Sequence, residues 1–130
     1  MQGRAAIHTI GAPQAIGTYS QALKVGDWIF LSGQLPLVPK TMQLVEGGMV
    51  EQTLQVFNNL IAVAEAAGGA LRDVVKLTVF LTELANFSVV NEVMAQVLTP
   101  PFPARSTIGV AALPRGALIE IEAIMILPSR

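Results

Sequence analysis

The sequence has no cysteine and one histidine, His8. Without thiols there is neither a disulfide framework nor a thiol nucleophile, and a lone imidazole supplies neither a zinc site nor a histidine-based triad. A reducing cytoplasm fits this composition. Charge is scarce: 8 Lys and Arg against 9 Asp and Glu make 13% of the chain, where an average soluble domain carries about 25%. The basic residues are scattered and the formal net charge is −1, so no phosphate-tracking stripe appears and nucleic acid is not an expected partner. The longest apolar stretch, Val50 to Ala67, is interrupted by Glu51, Gln52, Gln55, Asn58, Asn59 and Glu65, which leaves no span of about 20 apolar residues and no expected membrane partner. Met1-Gln2-Gly3-Arg4 is followed by no signal-like core. Neither G-x-x-x-x-G-K-[ST] nor a strand-linked G-x-G-x-x-G occurs, so Gly47-Gly48 and Gly68-Gly69 read as turns. No metal and no cofactor are expected.

What is abundant is apolar surface, at 52% of the residues. One domain over residues 1–130 can bury only part of it, and a second copy of the chain is the natural cover for the remainder. The elements read β, β, α, β, α, β, β. Trp28 to Ser32 is an aromatic and β-branched strand that Ala22 to Val25 would join across Gly26-Asp27. Leu54, Phe57, Leu60, Ile61 and Ala64 recur at helical spacing after Val50, with Gly68-Gly69 to end the helix. Val74 to Leu81 is a β-branched central strand. Phe87 to Leu98 is a second helix, with Asn86 as candidate cap and Pro100-Pro101 as its stop. Arg105 to Ala112 and Leu118 to Leu127 read as a hairpin joined by Leu113 to Ala117. An α+β fold follows, a mixed β-sheet with two helices packed on one face.

Within these apolar strands the charges stand out. Arg105 lies in Phe102-Pro103-Ala104-Arg105-Ser106-Thr107, and Glu120 and Glu122 share one face of the last strand because side chains alternate. A guanidinium fork fits a carboxylate, either a substrate's or a protein glutamate's. Pairing the last two strands about the centre of their loop would set Arg105 opposite Met125. Glu120 would then lie about 16 Å away along the strand. Either the pairing is irregular, or Arg105 and Glu120 converge from different subunits in a cleft, the reading favoured here. Ser32-Gly33-Gln34 ends a strand where backbone amides can face a ligand, and Tyr19 follows Gly17 in a loop; for both, a turn or core-edge role competes with a functional one.

Five ordered segments resemble the RidA/YjgF family of enamine and imine deaminases: residues 15–22 (AIGTYSQA), 31–36 (LSGQLP), 75–81 (VKLTVFL), 102–106 (FPARS) and 119–123 (IEIEA). The resemblance implies a chorismate-mutase-like (YjgF-like) homotrimer with a barrel-like core and sites between subunits. It implies that Arg105 grips a substrate carboxylate, that Glu120 handles water or a proton, and that Tyr19, Ser32, Gly33, Phe87 and Thr107 line the pocket. Glu122 competes with Glu120 for the acid/base role. The sequence departs from the family at Thr18, usually proline; at Thr107, often cysteine; near Met42, where glycine is usual; and near Met94 and Leu98, where aromatics are usual. Thr107 reads as a change of substrate preference and the others as structural.

The implied reaction is hydrolysis of 2-aminoacrylate-type enamines or 2-imino acids to 2-oxo acids and ammonia. Arg105 would fix the C=N carbon beside Glu120. Two rivals stand beside it: a trimer that binds 2-oxo acids without turnover, and an RNA-cleaving role that a sequence without a basic stripe or a histidine pair supports poorly.

Overall fold

The computed structural model describes residues 3–128. Eight strands and two helices occur in the order β1 (Arg4–Ile7), β2 (Ala22–Val25), β3 (Trp28–Gln34), β4 (Leu37–Val38), β5 (Gln43–Leu44), α1 (Met49–Ala66), β6 (Val74–Leu81), α2 (Phe87–Val97), β7 (Ala104–Gly109) and β8 (Ile119–Ile126). Six strands form one mixed sheet in the order β1-β2-β3-β8-β6-β7, and β4 and β5 make a small separate ladder. β2 and β3 pair across Gly26, whose φ of 62° is the left-handed geometry a tight turn requires. β1 was not anticipated. It is four residues long and almost wholly exposed, too short to show an alternating pattern.

Both helices pack on one face of the sheet. Ile29, Leu31, Leu77, Val79, Leu81, Ile119, Ile121 and Met125 point to that face and meet Val56, Phe57, Leu60, Val63 and Ala64 of α1 and Val90 and Met94 of α2. Gly68, at φ 96°, ends α1, and the Gly69 amide closes back on the Ala64 carbonyl at 3.0 Å. The stripe read from the sequence is partly displaced. Leu54 is exposed, and the buried face takes in Gln52, Thr53 and Asn59 instead. Asn86 precedes α2 but makes no side-chain cap bond, because a 3₁₀ turn over Leu84–Asn86 already leads the chain into the helix.

The expected hairpin between the last two strands does not form. β7 pairs in parallel with β6 alone, with Arg105 opposite Leu77, whereas β8 inserts between β3 and β6 and runs antiparallel to both. The connection over residues 110–118 crosses the end of β6, held by Val110 N–H on the Leu81 carbonyl at 2.8 Å and by Thr82 N–H on the Leu118 carbonyl at 3.3 Å. β7 stops at Gly109, short of Ala112, because its one partner ends at Leu81, the residue opposite.

Among the described residues, the other face of the sheet carries no helix. Trp28 and Phe30 lie on it with rings 6.1 Å apart, 50% and 43% exposed. Ile124 and Ile126 stand opposite them on β8, and Phe80, Glu120 and Glu122 share the face. Among the described residues no helix is long and apolar enough to cross a membrane, and no cluster of three or more His, Cys, Asp or Glu could hold a metal ion.

Candidate functional site

Arg105 sits on β7, the edge strand, with its side chain on the helix-bearing face. Its guanidinium carbon lies 4.8 Å from the centroid of the Phe87 ring at the start of α2, a cation–π contact. One Nη1–H group donates to Asn91 Oδ1 at 2.8 Å, and the Met94 sulfur lies 3.9 Å from the same nitrogen. Both partners are neutral, so the charge is held in place without being neutralised. Beside it opens a cavity of about 410 Å³ lined by Asn91, Met94, Leu98, Phe102, Pro103 and Arg105. Arg105 itself is exposed in the single chain.

Thr107 follows two residues on, on the same strand face, opposite Val79. Its Oγ1 is the one buried side-chain N or O atom among the described residues that lacks a hydrogen-bond partner. A buried hydroxyl without a partner costs about 1–3 kcal/mol. Thr107→Val, which keeps the shape and removes the hydroxyl, should therefore hold or raise the melting temperature by a few degrees. If Thr107 lines a carboxylate site, as the family resemblance implies, the change should also weaken binding of a small 2-oxo acid about fivefold, because a neutral hydrogen bond contributes about 1 kcal/mol. Calorimetric titration and thermal melting read the two effects separately, and unchanged affinity would assign the hydroxyl no ligand.

Glu120 and Glu122 occupy the opposite face. Glu120 stands across β6 from Ile108, with Phe80 between them, and β6 thus separates it from the strand that carries Arg105. The plain ion pair between Arg105 and Glu120 is therefore absent within one chain, for a reason other than hairpin offset: the two side chains leave the sheet on opposite sides. Burial raises the Glu120 pKa above its ordinary 4.5, with Glu122 adding repulsion, so Glu120 holds its proton into a window above the usual carboxylate range.

The Glu120 carboxyl rests against Gly33. β3 shifts register against β8 between Leu31 and Gln34, and a Cβ built on Gly33 would lie 2.9 Å from Glu120 Cδ and 3.1 Å from its Cγ. The Ser32 hydroxyl donates to the Ser20 carbonyl at 2.6 Å and ties the Tyr19 loop to this bulge, leaving only its lone pairs for a ligand. Tyr19 is 53% exposed, and its hydroxyl accepts from the Ile16 amide at 3.3 Å. Tyr19, Ser32 and Glu122 border a hollow of about 680 Å³, and Tyr19 and Gly33 a second of about 340 Å³. One chain therefore brings Arg105, Phe87 and Thr107 together on one side, and Tyr19, Ser32, Gly33 and Glu120 on the other. It does not join the two groups.

A family model described as Endoribonuclease L-PSP matches residues 9–127. The chain belongs to this family. Among its relatives is the 2-iminobutanoate/2-iminopropanoate deaminase of Dermatophagoides farinae, 43% identical over 127 residues, covering 98% of this chain and 99% of the relative. RidA from an Antarctic Psychrobacter superposes with a TM-score of 0.92 at 52% identity, covering 95% of this chain and 99% of that one. E. coli TdcF, solved with bound serine, gives a TM-score of 0.90 at 37% identity, covering 95% and 99%.

Membership in the RidA/YjgF family sharpens two of the departures noted above. The departures near Met94 and Leu98, read as structural from the sequence, border the cavity beside Arg105. Met42 has a φ of 60°, the left-handed region where glycine is at ease, and its carbonyl is held by Arg115 Nη1 at 3.0 Å. Asn91 was missed in the sequence. Its signal was there, one turn after Phe87 and one before Met94 on the same helix face.

Proposed function

We propose that the protein is an enamine/imine deaminase, a hydrolase that converts 2-aminoacrylate-type enamines and 2-imino acids to 2-oxo acids and ammonia. The observation that carries this reading is a guanidinium fixed by Phe87 and Asn91, with no carboxylate from the described residues among its polar contacts and a cavity beside it. Such a group has its geometry set and its charge available for a guest carboxylate. The deaminase names of curated relatives at 43–47% identity support the same reading. The nuclease wording of the family description finds less support in a chain of net charge −1 with one histidine.

In this reading Arg105 binds the substrate carboxylate and Thr107 offers its unpaired hydroxyl to the same molecule. Glu120 orients or deprotonates the water that attacks the C=N carbon, and its raised pKa suits proton exchange with the departing nitrogen. Tyr19, Ser32 and Gly33 complete the wall on the Glu120 side. Because the two groups of residues leave opposite faces of the sheet, a substrate touching both must lie between two copies. We therefore place the site in the cleft of a homotrimer whose bare sheet faces form a barrel-like core. Covering Trp28 and Phe30, both exposed in the single chain, is what such an assembly provides.

Subunit mixing tests the arrangement. Arg105→Ala and Glu120→Gln are each expected to be inactive alone. Co-refolded at equal ratio, they should regain a fraction of wild-type activity, on the order of one site in four, because random pairing of two variants across a cleft restores some clefts with both native groups. No recovery in demonstrably mixed oligomers would place both residues in one chain's site and overturn the shared cleft.

A further inference from the structure

We infer that Gln52 and Asn59, two buried side chains of α1 remote from the cavity beside Arg105, are positioning residues that set the Glu120 carboxyl against the Gly33 bulge. The inference rests on the role given to Glu120 above. Gln52 is 6% exposed and Asn59 fully buried. Seven residues apart, they share one helix face. Gln52 Oε1 accepts the Leu118 N–H at 2.9 Å. Asn59 Nδ2 donates to the Leu35 and Leu37 carbonyls, both at 3.0 Å, and Gln55 Nε2 donates to Asn59 Oδ1 at 3.0 Å, which fixes the direction of the Asn59 amide.

The positions gripped are informative. Leu118 lies two residues before Glu120, and Leu35 two residues after Gly33. One rigid helix therefore holds both segments on either side of the place where carboxyl and glycine meet. The β6–β8 ladder sets the Glu120 backbone opposite Phe80, but on the Gly33 side the β3–β8 ladder shifts register between Leu31 and Gln34, so the fit of carboxyl to bulge is not fixed by a regular ladder there. Apolar side chains at 52 and 59 would bury more favourably, but they would leave the Leu118 amide and the Leu37 carbonyl without these partners and the Leu35 carbonyl with the Leu37 amide alone, at 2.8 Å. The charged and ionisable groups on the Glu120 side are Glu122 on β8, Lys76 on β6, Arg4 on β1 and Tyr19 in the loop before β2, with Arg115 lining the hollow that Gly33 borders; β3 has none.

The chemistry of each bond gives the test its contrast. Gln52 acts as an acceptor, so Gln52→Met removes the bond at similar length and Gln52→Glu restores it in either protonation state. Asn59 acts as a double donor, so Asn59→Asp cannot restore it. Full-length variants are assayed for deamination of an enzymatically generated 2-imino acid across pH, for 2-oxobutyrate affinity and for melting temperature. Gln52→Met should lower kcat about tenfold or more, as expected of a misplacement near 1 Å, with 2-oxobutyrate affinity within twofold of wild type. Its acidic limb should move to lower pH as Glu120 loosens into solvent, and Gln52→Glu should recover most of kcat. If Gln52→Met only melts earlier while kcat and the pH limb stay at wild-type values, Gln52 is a plain structural residue and the inference fails. A wild-type rate in Glu120→Gln would instead remove the role of Glu120 itself.

Discussion

Arg105→Ala is expected to lower kcat/KM for deamination by about three orders of magnitude, because losing one partner of a desolvated, hydrogen-bonded charge pair costs about 2–5 kcal/mol and each 1.36 kcal/mol is tenfold. In the free protein the same change should cost little stability. The Arg105 side chain is exposed, and what it gives up is one hydrogen bond to Asn91 and a cation–π contact with Phe87. Arg105→Lys should recover only a small part of the activity, since an ammonium keeps the charge and loses the two-pronged grip. The measurement generates 2-aminoacrylate with a serine dehydratase and follows pyruvate release. Equal acceleration by wild type and Arg105→Ala would remove the arginine from the mechanism.

Gly33→Ala is expected to have the second largest effect, and to act on rate more than on folding. The backbone of Gly33 lies outside the left-handed region, so a methyl group meets no conformational penalty there. It meets the Glu120 carboxyl instead, which must give way because Cδ would lie 2.9 Å off. With Glu120 as the acid/base group and Arg105 as the carboxylate binder, as proposed above, a displacement of about 1 Å costs up to about a hundredfold in rate, so kcat should fall tenfold to a hundredfold while 2-oxobutyrate still binds. An alanine variant with wild-type kcat and an unmoved acidic limb would mean that the place of this carboxyl does not govern the chemistry.

Much of the fold was legible because its signals are local. β6 reads from its β-branched run, the β2–β3 pair from Gly26-Asp27, and the end of α1 from Gly68-Gly69. The failures share a cause. The order of strands is decided by which edges remain unpaired, and nothing in Leu113 to Ala117 says that the chain there vaults β6 instead of turning back on itself. The face of α1 was misjudged because burial was sought in apolar residues, whereas Gln52 and Asn59 are buried to satisfy backbone groups more than twenty positions distant. For the candidate site, charge in apolar strands singles out Arg105 and Glu120, which the fold sets on opposite faces of the sheet. Asn91 stayed hidden among polar helix residues until the partner strand was known. The separation of Arg105 from Glu120 was foreseen, but the hairpin offset first invoked is not its cause; parity along paired strands is.

The position of β8 has a consequence for how the protein is made. Last of the strands in chain order, it fills the middle of the sheet between β3 and β6. A ribosome must therefore deliver residue 126 before those two strands acquire their common neighbour. Until then the nascent chain carries two open strand edges and a half-covered core, the kind of species that invites aggregation or chaperone capture.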